Sequence, residues 1–267
     1  MPRTPSRATL RLGDTEVARI GLGTNRLFKT PEHVAFVAQA IDAGVGVVDT
    51  AHTYADGESE ATIGAALSPV PNGCVVATKG GWASARSDVL RAEIEKSLER
   101  LQTESIGLYY LHRPDPETPL EESLRAIKEY RDSGAIRHVG LSNVGVEQIE
   151  RGRELVPIVA VQNHYNVAER THEDVLEYCT REGIVFVPYF PLRSDGESRV
   201  TAIAEAHDAT PTQVLLAGLL ARSPLTLPIP GTLSLDHVKE NLAALRLKLS
   251  DDELDELDLA PRSLRSM

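Results

Sequence analysis

Three polar side chains each follow a mostly apolar run of the sequence, and a tyrosine lies close to the first of them. Asp49, Lys79 and His112 come directly after such runs, and Tyr54 lies five residues beyond Asp49. Placing a lone carboxylate or ammonium next to a buried strand costs several kcal/mol, so we expect Asp49 and Lys79 to form an ion pair.

These four residue types together favour acid–base chemistry on a carbonyl group. A free tyrosine keeps its proton until about pH 10, and a neighbouring ammonium makes it a better proton donor near neutral pH. We expect Lys79 to do this for Tyr54, with Asp49 holding Lys79 in place and His112 orienting the substrate oxygen. The set can protonate a developing alkoxide, but it contains no electron source, so a hydride must come from a cofactor.

The elements that position these residues alternate between β-branched runs and amphipathic segments. The predicted strands cover residues 19–24, 45–49, 74–79, 106–112, 136–142, 158–162, 184–188 and 225–229. Predicted helices begin near residues 30, 59, 87, 119, 145, 171, 210 and 234. Eight strands and eight helices in strict βα order predict an α/β fold, a (β/α)₈ TIM barrel with a parallel sheet. About 250 residues is typical of such a barrel, so we expect one domain over residues 1–267.

Two segments lie outside this eightfold count. Residues 9–17 alternate around a Gly-Asp turn, which predicts a β-hairpin before the first barrel strand. Residues 251–258 follow Ser250 and predict a short capped helix at the C-terminal end.

The reacting groups of a barrel of this kind lie at the C-terminal ends of its strands. The polar or small residues at or just after those ends are Thr24, Asp49, Lys79, His112, Ser142, Asn143, Gln162, Tyr189 and Gly231.

The composition excludes several classes of partner. The chain has 267 residues and a net charge of −11, which argues against nucleic-acid binding because phosphate backbones need a basic surface. No apolar run reaches the roughly 20 residues of a membrane span, and no signal peptide is expected. Two cysteines fit a reducing compartment, so a cytoplasmic protein is expected.

Several ordered motifs make the chain resemble the aldo-keto reductases over nearly its whole length. These motifs cover residues 20–24, 49–60, 77–79, 110–115, 140–143, 161–166, 189–192, 229–232 and 240–241. Phe190 replaces the serine usual in the family, and with His237 it resembles a bacterial branch that includes pyridoxal reductases.

The resemblance implies an NAD(P)H-dependent reductase that converts aldehydes or ketones to alcohols, with the reverse oxidation also open. The nicotinamide would supply the hydride and Tyr54 the proton, with Asp49, Lys79 and His112 completing the catalytic set. NADPH is the implied cofactor, with NADH as a weaker alternative, and the partner is a small carbonyl compound.

The resemblance also implies how the cofactor is held. Ser142, Asn143 and Gln162 would bind the nicotinamide carboxamide, and Tyr189 would stack on the ring. The segment from Gly231 to Asn241 would bind the adenosine 2′-phosphate, with His237 where many relatives have arginine. The full implied set is Gly23, Thr24, Asp49, Ser142, Asn143, Gln162, Tyr189, Phe190, Pro191, Leu192, Gly231, Thr232, His237, Glu240 and Asn241.

The substrate pocket is predicted to contain Tyr54 and His112, walled by two aromatic residues. Trp82, the only tryptophan, follows the third strand, and Phe28 follows the first. Either aromatic side chain could instead serve only in packing.

The sequence also permits two other functions. His52, His112 and His164 lie near strand ends with Asp49, which permits a metal-dependent barrel hydrolase, although Lys79 would repel a divalent ion and we expect no metal. A regulatory module that binds NADPH and turns over slowly is the other alternative.

Overall fold

The computed structural model describes residues 8–194 and 196–259, in which a β-hairpin precedes alternating strands and helices. The hairpin strands β1 (Thr9–Leu12) and β2 (Thr15–Ala18) are antiparallel, as predicted. The sheet strands are β3 (Leu22–Gly23), β4 (Val47–Asp49), β5 (Val75–Gly80), β6 (Ile106–Leu111), β7 (Ile136–Ser142), β8 (Ile158–His164) and β9 (Val185–Tyr189). They are parallel and pair in chain order, which confirms the predicted α/β barrel arrangement. The two ends of the predicted domain, residues 1–7 and 260–267, lie outside the described residues.

The helices cover the outside of this sheet. They are α1 (Pro31–Asp42), α2 (Glu58–Leu67), α3 (Ser87–Leu101), α4 (Leu120–Asp132), α5 (Val146–Arg153), α6 (Glu173–Glu182), α7 (Glu197–Ala206), α8 (Pro211–Arg222), α9 (Leu235–Ala243) and α10 (Asp251–Glu256). Thr30, Thr210, Ser234 and Ser250 cap α1, α8, α9 and α10 with their hydroxyl groups, as their positions in the sequence predict. None of the helices in the described ranges is long and apolar enough to cross a membrane.

The eighth predicted strand, residues 225–229, does not form a regular strand. Pro228 and Pro230 have no N–H to donate to a ladder, so the sheet contacts are isolated bridges and single hydrogen bonds. The carbonyls of these prolines accept hydrogen bonds from Gly21 and Gly23 at 3.0 and 3.1 Å, and Leu227 N donates to Phe186 O at 2.9 Å. Residues 225–231, the closing segment, therefore connect β9 to β3 and complete the barrel.

One helix was not predicted. α7 precedes α8 in the connection after β9, so that connection has two helices where the βα count expects one. Gly196 at its start provides no side-chain cap, and the usual signal of a helix start is therefore missing.

The hairpin covers the amino-terminal end of the barrel. Leu10, Leu12 and Val17 are buried and pack with the interior residues of the strands. Gly46 lies directly against the hairpin, since a Cβ there would be 3.0 Å from Ala18 N. The functional end of the barrel is consequently the opposite one, where the strands have their C-terminal ends.

Arg19, just after the hairpin, is a buried arginine that holds the closing segment in place. It donates hydrogen bonds to the carbonyl oxygens of Leu220 at 2.8 Å, Ser223 at 2.5 Å and Thr226 at 3.3 Å. Burial lowers the pKa of Arg19 to about 10, so the guanidinium remains charged at neutral pH.

We expect Arg19→Met to lower the free energy of unfolding by roughly 2–4 kcal/mol, because three buried carbonyls lose a charged donor. Urea denaturation measures this, with Arg131→Met as the control, since the Arg131 side chain is about one third exposed and pairs with its neighbour Asp132 at 3.4 Å. Equal midpoints for the two variants would contradict this role for Arg19.

Candidate active site

A buried ion pair lies at the centre of the C-terminal end of the barrel. Lys79 Nζ, from β5, is 2.6 Å from Asp49 Oδ1, and the two side chains are 0% and 3% exposed. Lys79 Nζ also donates to the carbonyl oxygen of Thr50 at 2.6 Å. Burial acts to lower the pKa of Lys79, but the negative charge of Asp49 and the contribution of Tyr54 outweigh it and raise the pKa above its ordinary value. The pairing predicted from the sequence is present, and Lys79 is an ammonium.

Asp49 links this pair to the far side of the barrel. Gln162 on β8 donates from Nε2 to Asp49 Oδ2 at 2.7 Å, so each carboxylate oxygen has its own donor. Because both oxygens accept hydrogen bonds, the orientation of the Asp49 carboxylate is fixed.

Tyr54 lies on the loop between β4 and α2, directly above Lys79. Lys79 Nζ is 4.9 Å from the centroid of the half-buried Tyr54 ring. The three residues that follow have positive φ angles, 48° at Ala55, 53° at Asp56 and 91° at Gly57. A Cβ at Gly57 would lie 2.0 Å from the guanidinium carbon of Arg100, so the turn requires glycine at this position.

Arg100 on α3 holds the loop that carries Tyr54. It donates to the carbonyl oxygens of His52 at 3.1 Å and Asp56 at 3.3 Å, on both sides of Tyr54. It also pairs with the buried carboxylate of Glu60 at 3.3 Å. Arg100 therefore ties the loop backbone on both sides of Tyr54 to α3.

His112 follows β6 and is kept neutral. Burial, followed by the positive charges of Lys79 and Arg113, lowers the pKa of His112 to about 3. Its ring centroid is 6.2 Å from that of Tyr54. In the described part of the chain its Nδ1 is buried with no hydrogen-bond partner. An unpaired buried acceptor costs less than an unpaired buried N–H, which favours the tautomer with the proton on Nε2.

Asn143 forms hydrogen bonds with two other predicted cofactor residues and with the backbone of His112. Its Nδ2 donates to the carbonyl oxygen of His112 at 3.0 Å and to Ser142 Oγ at 3.1 Å. Its Oδ1 accepts from the hydroxyl of Tyr189 at 2.8 Å. Asn143 has a φ of 59°, a left-handed conformation that asparagine tolerates better than most residues.

His164 is a part of the site that the sequence analysis did not assign to the cofactor. Its ring is stacked on Tyr189, with a centroid distance of 5.2 Å and an interplanar angle of 8°. Phe190 meets both rings edge-on. Residues two apart on a strand face the same side, so the position of His164 two residues after Gln162 could have indicated this placement.

A cavity of about 990 Å³ opens above these residues. It is lined by Gly23, Thr24, Asn25, Arg26, Asp49, Thr53, Tyr54, Trp82, His112, Arg113, Ser142, Asn143, Gln162, Tyr189, Phe190, Pro191, Leu192, Arg193, Ile229, Pro230 and Gly231. Lys79 lies beneath this lining, covered by Asp49 and Tyr54. The structure thus brings most of the predicted site residues to one cavity.

Besides Lys79, five predicted site residues lie outside the cavity lining. Phe28 is 53% exposed on the loop before α1, where its backbone N–H donates to His33 Nδ1 at 3.0 Å. The other four are on the segment after the closing segment and on α9, namely Thr232, His237, Glu240 and Asn241.

The structure gives contacts or burial for each of these four residues. Thr232 Oγ1 is 3.3 Å from His237 Nδ1, and Asn241 is buried. The Glu240 carboxylate accepts from Thr210 Oγ1 at 2.5 Å, which attaches α9 to the start of α8.

Three arginines line the cavity that the sequence analysis did not select. They are Arg26, Arg113 and Arg193, while Asp49, already paired with Lys79, is the one carboxylate in the lining. Each arginine directly follows a predicted site residue or lies two positions after one, and this proximity was the available signal.

Residues 8–194 and 196–259 contain no arrangement of side chains that fits the metal-dependent hydrolase considered above. No three His, Cys, Asp or Glu side chains there come together in a way that could hold a metal ion. His52 contacts Arg100, and His164 stacks on Tyr189.

Known proteins resemble this chain along almost its full length. It is 35% identical to an uncharacterized oxidoreductase of Schizosaccharomyces pombe, over 94% of this chain and 89% of that protein. It is 34% identical to pyridoxine 4-dehydrogenase of Escherichia coli, over 94% of this chain and 97% of that protein.

A solved structure shows the same fold. The aldo/keto reductase of Klebsiella pneumoniae in complex with NADP and acetate is 32% identical, with a TM-score of 0.86 over 96% of this chain and 97% of that one. The model of the aldo/keto reductase family matches residues 19–197 and 193–260. On this match and these identities, the chain belongs to the aldo/keto reductase family.

Proposed function

We propose that the protein is an NAD(P)H-dependent reductase of aldehydes and ketones, acting as one domain over residues 1–267, with NADPH as its main cofactor. The observation that carries the proposal is the buried Asp49–Lys79 pair beside Tyr54 and a neutral His112. Relatives support it, since one is named pyridoxine 4-dehydrogenase and another is solved in complex with NADP.

The residues around Tyr189 fit a nicotinamide ring and its carboxamide. His164 covers one face of Tyr189, and the other face is left for the flat nicotinamide ring. The Ser142 hydroxyl can donate a hydrogen bond and Gln162 Oε1 can accept one, which matches a carboxamide with one acceptor and one donor group. A nicotinamide bound here supplies the hydride.

Cationic groups at the other end of the cavity fit the phosphates of the cofactor. Arg26 donates to Gly231 O at 3.1 Å, and Arg193 lies 4.6 Å from the Phe190 ring. Guanidinium groups form charge-assisted hydrogen bonds with phosphate oxygens. We assign these two arginines to the pyrophosphate and keep Thr232 and His237 for the adenosine 2′-phosphate.

The protein's own residues perform the proton transfer. His112 Nε2–H donates a hydrogen bond to the carbonyl oxygen, and the Tyr54 hydroxyl gives its proton to that oxygen as it becomes an alkoxide. The Lys79 ammonium stabilises the phenolate that Tyr54 becomes, and Asp49 keeps Lys79 in position. Because His112 carries no charge, it orients the substrate without competing as a proton donor.

We expect His112→Gln to lower kcat/KM by roughly 10²-fold, because a preorganised donor to the developing oxyanion is lost. The pKa of His112, about 3, lies below the ordinary value of 6.5, so the unfolded chain takes up this proton first and stability falls as pH drops from 6.5 towards 3. The variant lacks this group. Between pH 7 and pH 5, urea denaturation should therefore show a smaller decrease in the free energy of unfolding for His112→Gln than for the wild type. Equal decreases would contradict the assignment.

A carbonyl panel tests the proposed function directly. NADPH absorbance is followed with benzaldehydes, short aliphatic aldehydes, diketones and pyridoxal, and multiple turnovers are expected with at least one compound. Stopped-flow mixing of the NADPH-loaded protein with the best aldehyde separates an enzyme from a slow sensor. Loss of bound NADPH fluorescence only over minutes, with no turnover on any carbonyl, would refute the reductase.

A further inference from the structure

One wall of the cavity is formed by the exposed Trp82 and by Arg113, which contact each other. The Arg113 guanidinium lies 4.6 Å from the centroid of the Trp82 ring, and Arg113 Nε donates to the Trp82 carbonyl oxygen at 2.7 Å. The Trp82 ring is in turn 4.7 Å from the His112 ring. Arg113 is thus separated from the carbonyl-orienting histidine by the width of one aromatic ring.

Asp115 makes this wall rigid. Its carboxylate accepts from Ser84 Oγ at 3.2 Å and Ala85 N at 2.9 Å on the loop that carries Trp82. It also accepts from Glu117 N at 2.9 Å and Thr118 Oγ1 at 3.0 Å on the loop that carries Arg113. These donors, the backbone N–H groups foremost, lower the pKa of Asp115 to about 2. The carboxylate therefore fastens the two loops to each other and is occupied by four donors.

Arg113 is exposed and lines the cavity. Its Nε is used by the Trp82 carbonyl, and among the residues that the structure describes no carboxylate forms an ion pair with it. Its charge is felt at the reaction centre, because it is one of the groups that lower the pKa of His112. The two outer nitrogens of a guanidinium match the two oxygens of a carboxylate.

The other two cavity arginines lie on a different side. Arg26 contacts the closing segment beside β3, and Arg193 follows β9, next to the residues proposed for the cofactor. Arg113 follows β6, on the side of Trp82 and His112. The placement assigns Arg113 to the substrate.

We infer that Arg113 and Trp82 form a carboxylate-binding subsite, which selects carbonyl substrates that carry a carboxylate about one aromatic ring away from the carbonyl group. The inference rests on the proposed reductase function and adds the substrate class. Trp82 supports the body of the substrate, Arg113 pairs with its carboxylate, and His112 and Tyr54 meet its carbonyl oxygen.

A matched substrate pair tests the subsite. The kcat/KM values for 4-carboxybenzaldehyde and for 4-(methoxycarbonyl)benzaldehyde, which has the same shape without the charge, are measured with NADPH. We expect the wild type to prefer the acid by about tenfold, Arg113→Gln to lose this preference, and Arg113→Lys to keep part of it. The ester should be reduced by Arg113→Gln within about threefold of the wild-type rate.

The control is Arg131→Gln, which removes the same charge from the surface of α4 and should leave the preference unchanged. A preference retained in Arg113→Gln, or equal losses for acid and ester, would overturn the subsite. If Arg113→Gln does not fold, raising NaCl from 20 to 500 mM on the wild type must reduce kcat/KM for the acid more than for the ester, and equal salt effects would also overturn it. Absence of turnover on both aldehydes would instead refute the reductase itself.

Discussion

Replacing Tyr54 by phenylalanine is expected to lower kcat for carbonyl reduction by about 10²–10⁴-fold, the usual contribution of a positioned general acid. The hydroxyl is the one group above Lys79 that we assign to protonate the alkoxide, and Lys79 Nζ lies 4.9 Å from its ring. The loop should keep its shape, because Arg100 binds the carbonyl groups on either side of Tyr54 and not the phenol itself. Steady-state NADPH oxidation with the best aldehyde measures the loss, and fluorescence titration should give an NADPH Kd close to that of the wild type.

Tyr130→Phe is the matched control for this experiment. It also removes one phenolic hydroxyl, which donates to Glu95 at 2.8 Å on the outer surface. Wild-type kcat is expected for Tyr130→Phe. If Tyr54→Phe kept more than half of its kcat, another group would have to be the proton donor.

Replacing Lys79 by methionine is expected to abolish activity and also to destabilise the fold by roughly 3–5 kcal/mol, the cost of leaving one partner of a buried pair uncompensated. Asp49 would keep only the hydrogen bond from Gln162 and would carry a buried charge without a counter-ion. The folded-state pKa of Lys79 lies above its ordinary value, so its stabilising contribution is fully present below about pH 10 and is lost only as pH rises further. The decrease in the free energy of unfolding caused by Lys79→Met should therefore be the same at pH 6 and pH 8. Urea denaturation together with NADPH oxidation measures both effects.

A second variant separates the electrostatic cost from simple loss of packing. Asp49→Asn in the Lys79→Met background neutralises the stranded carboxylate, and we expect it to restore part of the stability but none of the activity. Lys96→Met is the surface control, since Lys96 pairs with Glu99 at 2.7 Å on an exposed helix face and should change stability by less than about 1 kcal/mol. A single Lys79→Met variant as stable as the wild type would refute the buried pair.

The order of strands and helices could be predicted because each depends on local patterns. Thr30, Thr210, Ser234 and Ser250 cap helices with side chains visible in the sequence, and the apolar runs mark seven of the strands. The eighth run resembles a strand in its alternation, but Pro228 within it and Pro230 just after it lack the N–H donors that a ladder needs. α7 begins at a glycine without a capping side chain and has no such signal.

The catalytic cluster could be predicted for a different reason, because the C-terminal ends of parallel strands necessarily meet at one end of a barrel. Lys79 and Asp49 had to pair because neither could be buried alone. Contacts that depend on the loops could not be obtained in this way. The stacking of His164 on Tyr189 and the placement of Arg113 on Trp82 depend on contacts between residues distant in sequence, and the exposure of Phe28 depends on the conformation of its loop.

The contacts of Arg19 have a consequence for biosynthesis. Its three carbonyl partners lie more than 200 positions later in the chain, and the closing segment that completes the barrel is made after all the strands from β3 to β9. At translation rates of about 5–20 residues per second, the hairpin and β3 wait on the order of 10–40 s on the ribosome before those partners are synthesised. During that interval the growing sheet has an open edge and an unfilled interior. The nascent chain is therefore expected to depend on chaperones until residues 225–231 emerge, and fragments truncated before them should accumulate as insoluble protein.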